Sequence, residues 1–122
     1  MIVVFDIGRN RWDRLWGELN IARMDHACAN LENRKIIVVG GYSCGKIDST
    51  EVLDIASKTV RKVLPLPEKR SKLGMATIGT AENIQVLVFG GHEVQKSMHV
   101  WNDTTEAWQD YGGQTWNNCS EV

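Results

Sequence analysis

Short apolar runs separated by polar turns recur along the chain, and no stretch has convincing helical periodicity. Two of the runs are IIVV at 36–39 and VLVF at 86–89. β-Branched and aromatic residues in such runs are typical of strands. An uninterrupted apolar run is typical of a strand that is covered on both faces. The pattern therefore predicts an all-β protein in which these two runs are inner strands.

The strand pattern repeats with a period of 48 residues. The segments VVFDIGRNRW, EVLDIASKTV and HVWNDTTEAW begin at residues 3, 51 and 99 and align in step. Each segment carries two bulky residues seven positions apart, which are Phe5 and Trp12, Leu53 and Val60, and Trp101 and Trp108. These positions predict core side chains, and Trp12, Trp101 and Trp108 are all expected to be buried.

A pair of glycines follows each inner strand, at Gly40–Gly41 and Gly90–Gly91. Glycine permits backbone angles and close approaches that a Cβ forbids. We therefore expect other groups to pass directly against the backbone at these glycines, and Trp108 is the expected occupant of that space.

Each complete unit is predicted to contain four strands. They fall near 25–30, 35–39, 50–55 and 59–63 in one unit, and near 74–79, 84–89, 98–102 and 107–111 in the next. The predicted organisation is a partial unit at 1–16, full units at 17–63 and 64–111, and a tail or the start of a further unit at 112–122. Four strands in a repeat of roughly 40–50 residues are typical of a β-propeller.

The repeat resembles the kelch family. VVGG and VFGG carry the resemblance, each followed 10–12 residues later by one bulky residue and seven residues later by another, together with RMDH at 23–26 and LPLPEKR at 64–70. The resemblance covers about residues 3–111. It implies a partial propeller of about two and a half four-stranded antiparallel blades.

The ring of this partial propeller is not expected to close within the chain, because propellers use roughly four to eight blades. The chain is then an excerpt of a longer propeller, a truncated product or a protomer completed by other copies. The strand at 2–6 would have an open edge, and open edges favour self-association.

Composition and charge narrow the partner class. The chain has 122 residues, of which 43% are hydrophobic, and its net charge is −1. This balance indicates neither a nucleic acid nor a membrane surface as a partner. The apolar runs are far shorter than the roughly 20 residues of a membrane helix.

The opening residues MIVVFDIGRN lack the features of a signal peptide, and three cysteines without a motif suit a reducing compartment. The sequence thus predicts a cytoplasmic location. Sequons at Asn102 and Asn118 keep an extracellular location open, should a signal peptide lie outside this sequence.

No catalytic, metal or cofactor site is predicted. His26, His92, His99, Cys28 and Cys44 show no metal-ligand spacing, and the chain has neither a nucleophile elbow nor a phosphate-binding loop. The kelch resemblance implies one remote alternative, a fragment of a galactose-oxidase-like copper enzyme, whose metal is held by Tyr, Cys and His. The sequence offers only Tyr42 and Tyr111 as tyrosines.

The predicted function is protein binding through loops at one end of the sheets. In a blade with alternating strands, the second-to-third loop and the connection to the next blade open on the same face, and loops on a rigid scaffold usually carry recognition. The candidate contacts are Arg23, Tyr42, Lys46, Arg70, His92, Glu93 and Lys96. The resemblance implies two alternatives, an actin-binding protein or the substrate-recruiting part of a cullin-type ubiquitin ligase.

One basic segment at 57–72 allows two interpretations. It is either a patch for an acidic partner such as actin or an ordinary solvated surface. Its basic residues are Lys58, Arg61, Lys62, Lys69, Arg70 and Lys72.

Overall fold

The described residues form ten β-strands. The computed structural model describes residues 2–14, 17–32, 34–80, 82–92 and 97–114, and these residues include no helix. The strands form three separate antiparallel sheets, each built from strands that are consecutive in the chain. The all-β prediction is confirmed for this part of the chain.

The first sheet has two strands and the others have four. The first sheet contains β1 (Val3–Asp6) and β2 (Arg11–Arg14). The second contains β3 (Ala27–Leu31), β4 (Lys35–Val39), β5 (Thr50–Asp54) and β6 (Thr59–Val63). The third contains β7 (Gly74–Thr80), β8 (Asn83–Phe89), β9 (Ser97–Asn102) and β10 (Ala107–Gln114). The predicted four-stranded antiparallel units are confirmed, and their strand bounds agree with the prediction to within three residues.

The same turn closes the last hairpin of every sheet. The strand before the turn is β1, β5 or β9, and its last residue carries a side-chain oxygen. This oxygen accepts a hydrogen bond from the backbone N–H three residues later, which is the geometry that favours Asp and Asn in turns. The three bonds join Asp6 to Arg9, Asp54 to Ser57 and Asn102 to Thr105. A left-handed residue completes each turn, with φ of 52° at Asn10, 59° at Lys58 and 53° at Glu106. The 48-residue period therefore corresponds to a repeated local structure.

The second and third sheets pack face to face. Ile37, Val39 and Val52 of the second sheet share one hydrophobic core with buried residues of the third, which include Val88 and Trp101. Trp108 packs edge-on against Trp101 at a ring-centroid distance of 5.3 Å. Its indole Nε1 donates a hydrogen bond of 3.0 Å to the carbonyl oxygen of Leu64. The bulky pair of the third sheet thus anchors it to the end of the second.

Trp12 does not lie in the core, so this prediction is wrong. Its side chain is 69% exposed and Phe5 beside it is 40% exposed, whereas Trp101 is fully buried. The physical reason is that no sheet among the described residues covers the face of the first sheet that carries Phe5 and Trp12. The other repeat positions are enclosed, with Leu53 buried and Val60 and Trp108 half-buried.

The described residues contain no helix long and apolar enough to cross a membrane.

Candidate partner-binding face

The connections at one end of the second and third sheets are joined by backbone hydrogen bonds into one layer, called here the loop face. It consists of a first linker (17–26), a glycine loop (40–49), a second linker (64–73) and residues 90–92. The first linker pairs with the glycine loop through Met24 and Tyr42, whose bonds are 2.7 and 3.1 Å long. The two linkers are joined where the N–H of Lys72 donates to the carbonyl of Asp25 at 2.8 Å.

The diglycine positions allow the linkers to cross the glycine loop at contact distance. Gly40 and Gly41 have φ of 62° and 115°, which side-chain-bearing residues rarely adopt. A Cβ at Gly40 would lie 2.6 Å from the carbonyl oxygen of Arg70, and one at Gly41 would lie 2.7 Å from that of Met24. The closest atoms at these two glycines thus belong to the backbone of the linkers. Trp108, which was predicted to fill this space, is not among them.

Arg23 holds the first linker to the second sheet. Its side chain is fully buried, and its Nη1 donates to the carbonyls of Gly40 at 2.9 Å and Ser49 at 2.7 Å. Its Nη2 donates to the Ser49 hydroxyl and to the Glu51 carboxylate. Glu51, also fully buried, accepts further bonds from Asn20. The arginine therefore satisfies buried acceptors on both arms of the glycine loop.

Arg70 repeats this arrangement in the third sheet. The residue is fully buried, and its Nη1 donates to the Gly90 carbonyl at 2.8 Å. Its Nη2 donates to the carbonyl and the hydroxyl oxygen of Ser97, each at 2.7 Å. Ser97 in turn donates its hydroxyl proton to Glu68 at 2.5 Å. Both arginines thus perform the same structural task, one repeat apart.

The acidic partner changes place between the two clusters. Glu51 on β5 corresponds, 48 residues later, to His99 on β9, which is 2% exposed. The His99 Nδ1 lies 3.0 Å from the Asp110 carboxylate, and its Nε2 lies 3.6 Å from the Glu68 carboxylate. The arginine of the second sheet thus pairs directly with a carboxylate on a strand, whereas Glu68 of the second linker joins the Arg70 cluster through the Ser97 hydroxyl.

Local interactions shift the pKa values of two residues of the loop face, Glu68 and His26, and of Cys28 on the adjoining strand β3. The hydrogen bond from Ser97 lowers the pKa of Glu68, with Arg70 and His99 adding to the effect and desolvation opposing it. Partial desolvation lowers the pKa of His26, as does Arg23, while Asp25 opposes the change. Partial desolvation raises the pKa of Cys28, against a smaller opposite effect of Arg23. The ionised form of Glu68 is thus part of the folded arrangement.

The substitution Glu68→Gln is expected to remove a pH-dependent contribution to stability. A carboxyl group whose pKa is lowered by folding stabilises the fold above its ordinary pKa of 4.5, and that contribution is lost as the pH falls through the lower folded value. The free energy of unfolding should therefore differ most between wild type and variant at neutral pH, and the difference should shrink in acid. Denaturant unfolding at a series of pH values measures it.

The control for this experiment is Ser97→Ala, which removes the largest cause of the lowered pKa of Glu68. In the Ser97→Ala background, Glu68→Gln should produce a smaller pH-dependent difference. If the free energies of unfolding of wild type and Glu68→Gln differ by the same amount from neutral to acidic pH, folding does not lower the pKa of Glu68 and the prediction is wrong.

The predicted contact residues fall into three groups. Tyr42, which is 44% exposed, and His92 lie at the surface of the loop face, and Lys46 is half-buried there. The buried guanidinium groups of Arg23 and Arg70 are directed into the fold, a location that differs from the predicted role in partner contact. Glu93 and Lys96 lie outside the described residues.

Met24 is an exposed residue of the loop face that the sequence analysis did not identify. Its side chain is 61% exposed, and its backbone is paired with that of Tyr42. The two residues line a shallow groove of about 350 Å³ with Ala22, Arg23, Ser43 and Cys44. A signal was present in the sequence, since Met24 directly follows the repeated arginine and lies beside the predicted contact Arg23.

The basic segment at 57–72 does not present all its charges to one side. Arg61 forms an ion pair with Glu106 of the third sheet, and Arg70 is buried. The remaining lysines, Lys58, Lys62, Lys69 and Lys72, are exposed. No cluster of three or more potential metal ligands occurs among the described residues.

A scan against protein-family models finds no match to this chain, and no curated protein matches it.

Proposed function

We propose that this chain is a protein-binding module of the kelch type, whose sheets are blades of a partial β-propeller and whose loop face contacts a partner protein. The blade assignment is supported by the 48-residue period, the shared turn at Asp6, Asp54 and Asn102, and the face-to-face packing of the second and third sheets. The paired arginines support it further, because they fix equivalent loops in successive units.

The observation that carries the binding proposal is the exposed pair Met24 and Tyr42. Both are apolar over most of their surface and lie on loops that are held by backbone hydrogen bonds, buried arginines and glycines. A rigid loop surface loses little conformational entropy when a partner binds. Methionine and tyrosine are also enriched at protein interfaces.

The partner is a protein, and the near-neutral charge of the chain argues against a nucleic acid or a membrane surface. Two partner classes follow from the kelch resemblance, an actin filament and a cullin-type ubiquitin ligase whose substrate this module would recruit. The exposed lysines at 58, 62, 69 and 72 would suit the acidic surface of a filament.

The test compares three forms of the chain, namely wild type, the double variant Met24→Asp/Tyr42→Asp, and Ile7→Asp. Ile7 is 86% exposed and lies in a turn at the opposite end of the sheets, so its substitution is a matched control. Each form is assayed by co-sedimentation with actin filaments and by affinity capture of a cullin. Wild type and Ile7→Asp should bind one of the two partners. The double variant should bind the same partner with an affinity lower by about 30-fold or more.

The outcome identifies the partner class. Filament binding that depends on Met24 and Tyr42 supports the actin-binding alternative, and cullin capture that depends on them supports the ligase alternative. Binding that the double variant retains in full would overturn the assignment of the loop face, and binding to neither would overturn both partner classes.

A further inference from the structure

Nothing in the described part of the chain covers one apolar face of the first sheet or one apolar face of the third sheet. These two faces are equivalent, by the repeat, to the two faces that pack together between the second and third sheets. Phe5 and Trp12 of the first sheet pair at a ring-centroid distance of 5.1 Å, with an angle of 56° between their planes. Trp101 and Trp108 of the third sheet pair at 5.3 Å and 61°. The two aromatic pairs thus have nearly the same geometry. Among the described residues, the second sheet covers the pair of Trp101 and Trp108, and no sheet covers the pair of Phe5 and Trp12.

The third sheet carries the matching surface on its other side. Since side chains alternate along a strand, Leu87 and Phe89 point away from Val86 and Val88, which face the second sheet. Ile37 and Val39 hold the equivalent positions in the second sheet and are fully buried against the third. Leu87 and Phe89 are only half-buried, and Ile78 on the neighbouring strand is 36% exposed.

Charged contacts at the existing interface have neutral counterparts at both free faces. Lys35 lies 3.9 Å from Asp103, and Arg61 pairs with Glu106, across the second and third sheets. By strand register, the basic residues correspond to Gln85 and Gln109 on the free face of the third sheet. By the 48-residue period, the acidic residues correspond to Ile7 and Asn10 beside the first sheet. Joining the two free faces would therefore bury no unpaired charge from these positions.

We propose that copies of this chain associate head to tail, with the free face of the third sheet of one copy packing on the Phe5 and Trp12 face of another. The contact reproduces the part of the packing between the second and third sheets that Trp101 and Trp108 make, with Phe5 and Trp12 in their places. It is heterologous, because two different faces meet, so each dimer retains one free face of each kind. Further copies can add until a ring closes or a filament grows.

Sedimentation velocity over a wide concentration range tests the proposal with three single variants. Trp12→Lys changes the face of the first sheet and Ile78→Lys the face of the third, both at side chains that are at least one-third exposed. Met24→Lys is the control, since it changes an exposed apolar residue of the loop face by the same chemistry. Thermal unfolding of each variant establishes that it is folded before it is compared.

Wild type and Met24→Lys should form oligomers that grow with concentration. Trp12→Lys and Ile78→Lys should each raise the dissociation constant by about 30-fold or more. An equimolar mixture of these two variants should regain association but stop at a heterodimer, because each variant keeps the face that the other has lost.

Three results would overturn the proposal. One is a wild-type chain that remains monomeric at all concentrations. Another is loss of association in Trp12→Lys but not in Ile78→Lys, which would mean that two aromatic faces meet each other. The third is a mixture that forms no heterodimer. None of these results bears on the loop face, so the binding proposal above is tested separately.

Discussion

Replacing Arg23 with methionine should lower the free energy of unfolding by about 3–5 kcal/mol, since removing one partner of a buried ion pair leaves the other charge without compensation. Glu51 would be that charge, and its carboxylate is fully buried beneath the first linker. The carbonyls of Gly40 and Ser49 would lose a donor at the same time. Denaturant-induced unfolding monitored by tryptophan fluorescence measures the change.

Arg61→Met is the matched control for this prediction. Arg61 also pairs with a glutamate, Glu106, but both side chains are more than one-third exposed. An exposed pair of this kind contributes roughly 0–1 kcal/mol. Were Arg23→Met to cost no more than Arg61→Met, the buried guanidinium would not be what holds the first linker to the second sheet.

A second variant separates the buried charge from the lost hydrogen bonds. Glu51→Gln removes the negative charge but keeps an oxygen that can accept the bonds from Asn20. The double variant Arg23→Met/Glu51→Gln should therefore be more stable than Arg23→Met alone. The difference in the free energy of unfolding that remains between this double variant and Glu51→Gln measures the effect of the unpaired carbonyls of Gly40 and Ser49.

Alanine at Gly41 should destabilise the fold by about 3–5 kcal/mol, the sum of a strained backbone and a steric clash. The backbone of Gly41 has a φ of 115°, and a Cβ there would lie 2.7 Å from the carbonyl oxygen of Met24 and 3.0 Å from the Cβ of His26. The clash would push the first linker away from the glycine loop. Thermal and denaturant unfolding of the variant measure the loss.

Gly45→Ala in the same loop isolates the contribution of backbone strain. Gly45 has a φ of 135°, and a Cβ at this position would meet no atom within 4 Å. Its substitution should cost only the strain, roughly 1–3 kcal/mol. Equal losses at Gly41 and Gly45 would show that the close approach of the linker contributes nothing.

Strand positions could be predicted from the sequence because they depend on local chemistry. The inner strands β4 and β8 are apolar runs that end at glycines, and the 48-residue period placed the outer strands relative to them. The turn residues Asp6, Asp54 and Asn102 were available to the same reasoning. They fall in one column of the three aligned segments, directly after the first bulky residue.

Burial at the ends of the molecule could not be predicted in this way, because it depends on what packs against a side chain. Trp12 and Trp108 are equivalent in the repeat, yet only Trp108 has a neighbouring sheet to cover it. The burial of Arg23 and Arg70, which were predicted as partner contacts, could not be foreseen for a related reason. A charged residue in a linker suggests exposure, and nothing local shows that Ser49, Ser97 and two glycine carbonyls converge on the guanidinium groups.

The two arginine clusters place their carboxylates differently, so we expect each linker to fit its own sheet better than the other sheet. Were the second linker to dock on the second sheet, Glu68 would approach the buried carboxylate of Glu51, and like charges would meet in a poorly solvated site. Were the first linker to dock on the third sheet, the Asn20 donors would face His99 in place of a carboxylate. We therefore expect polar chemistry to disfavour the docking of either linker on the sheet of the other repeat.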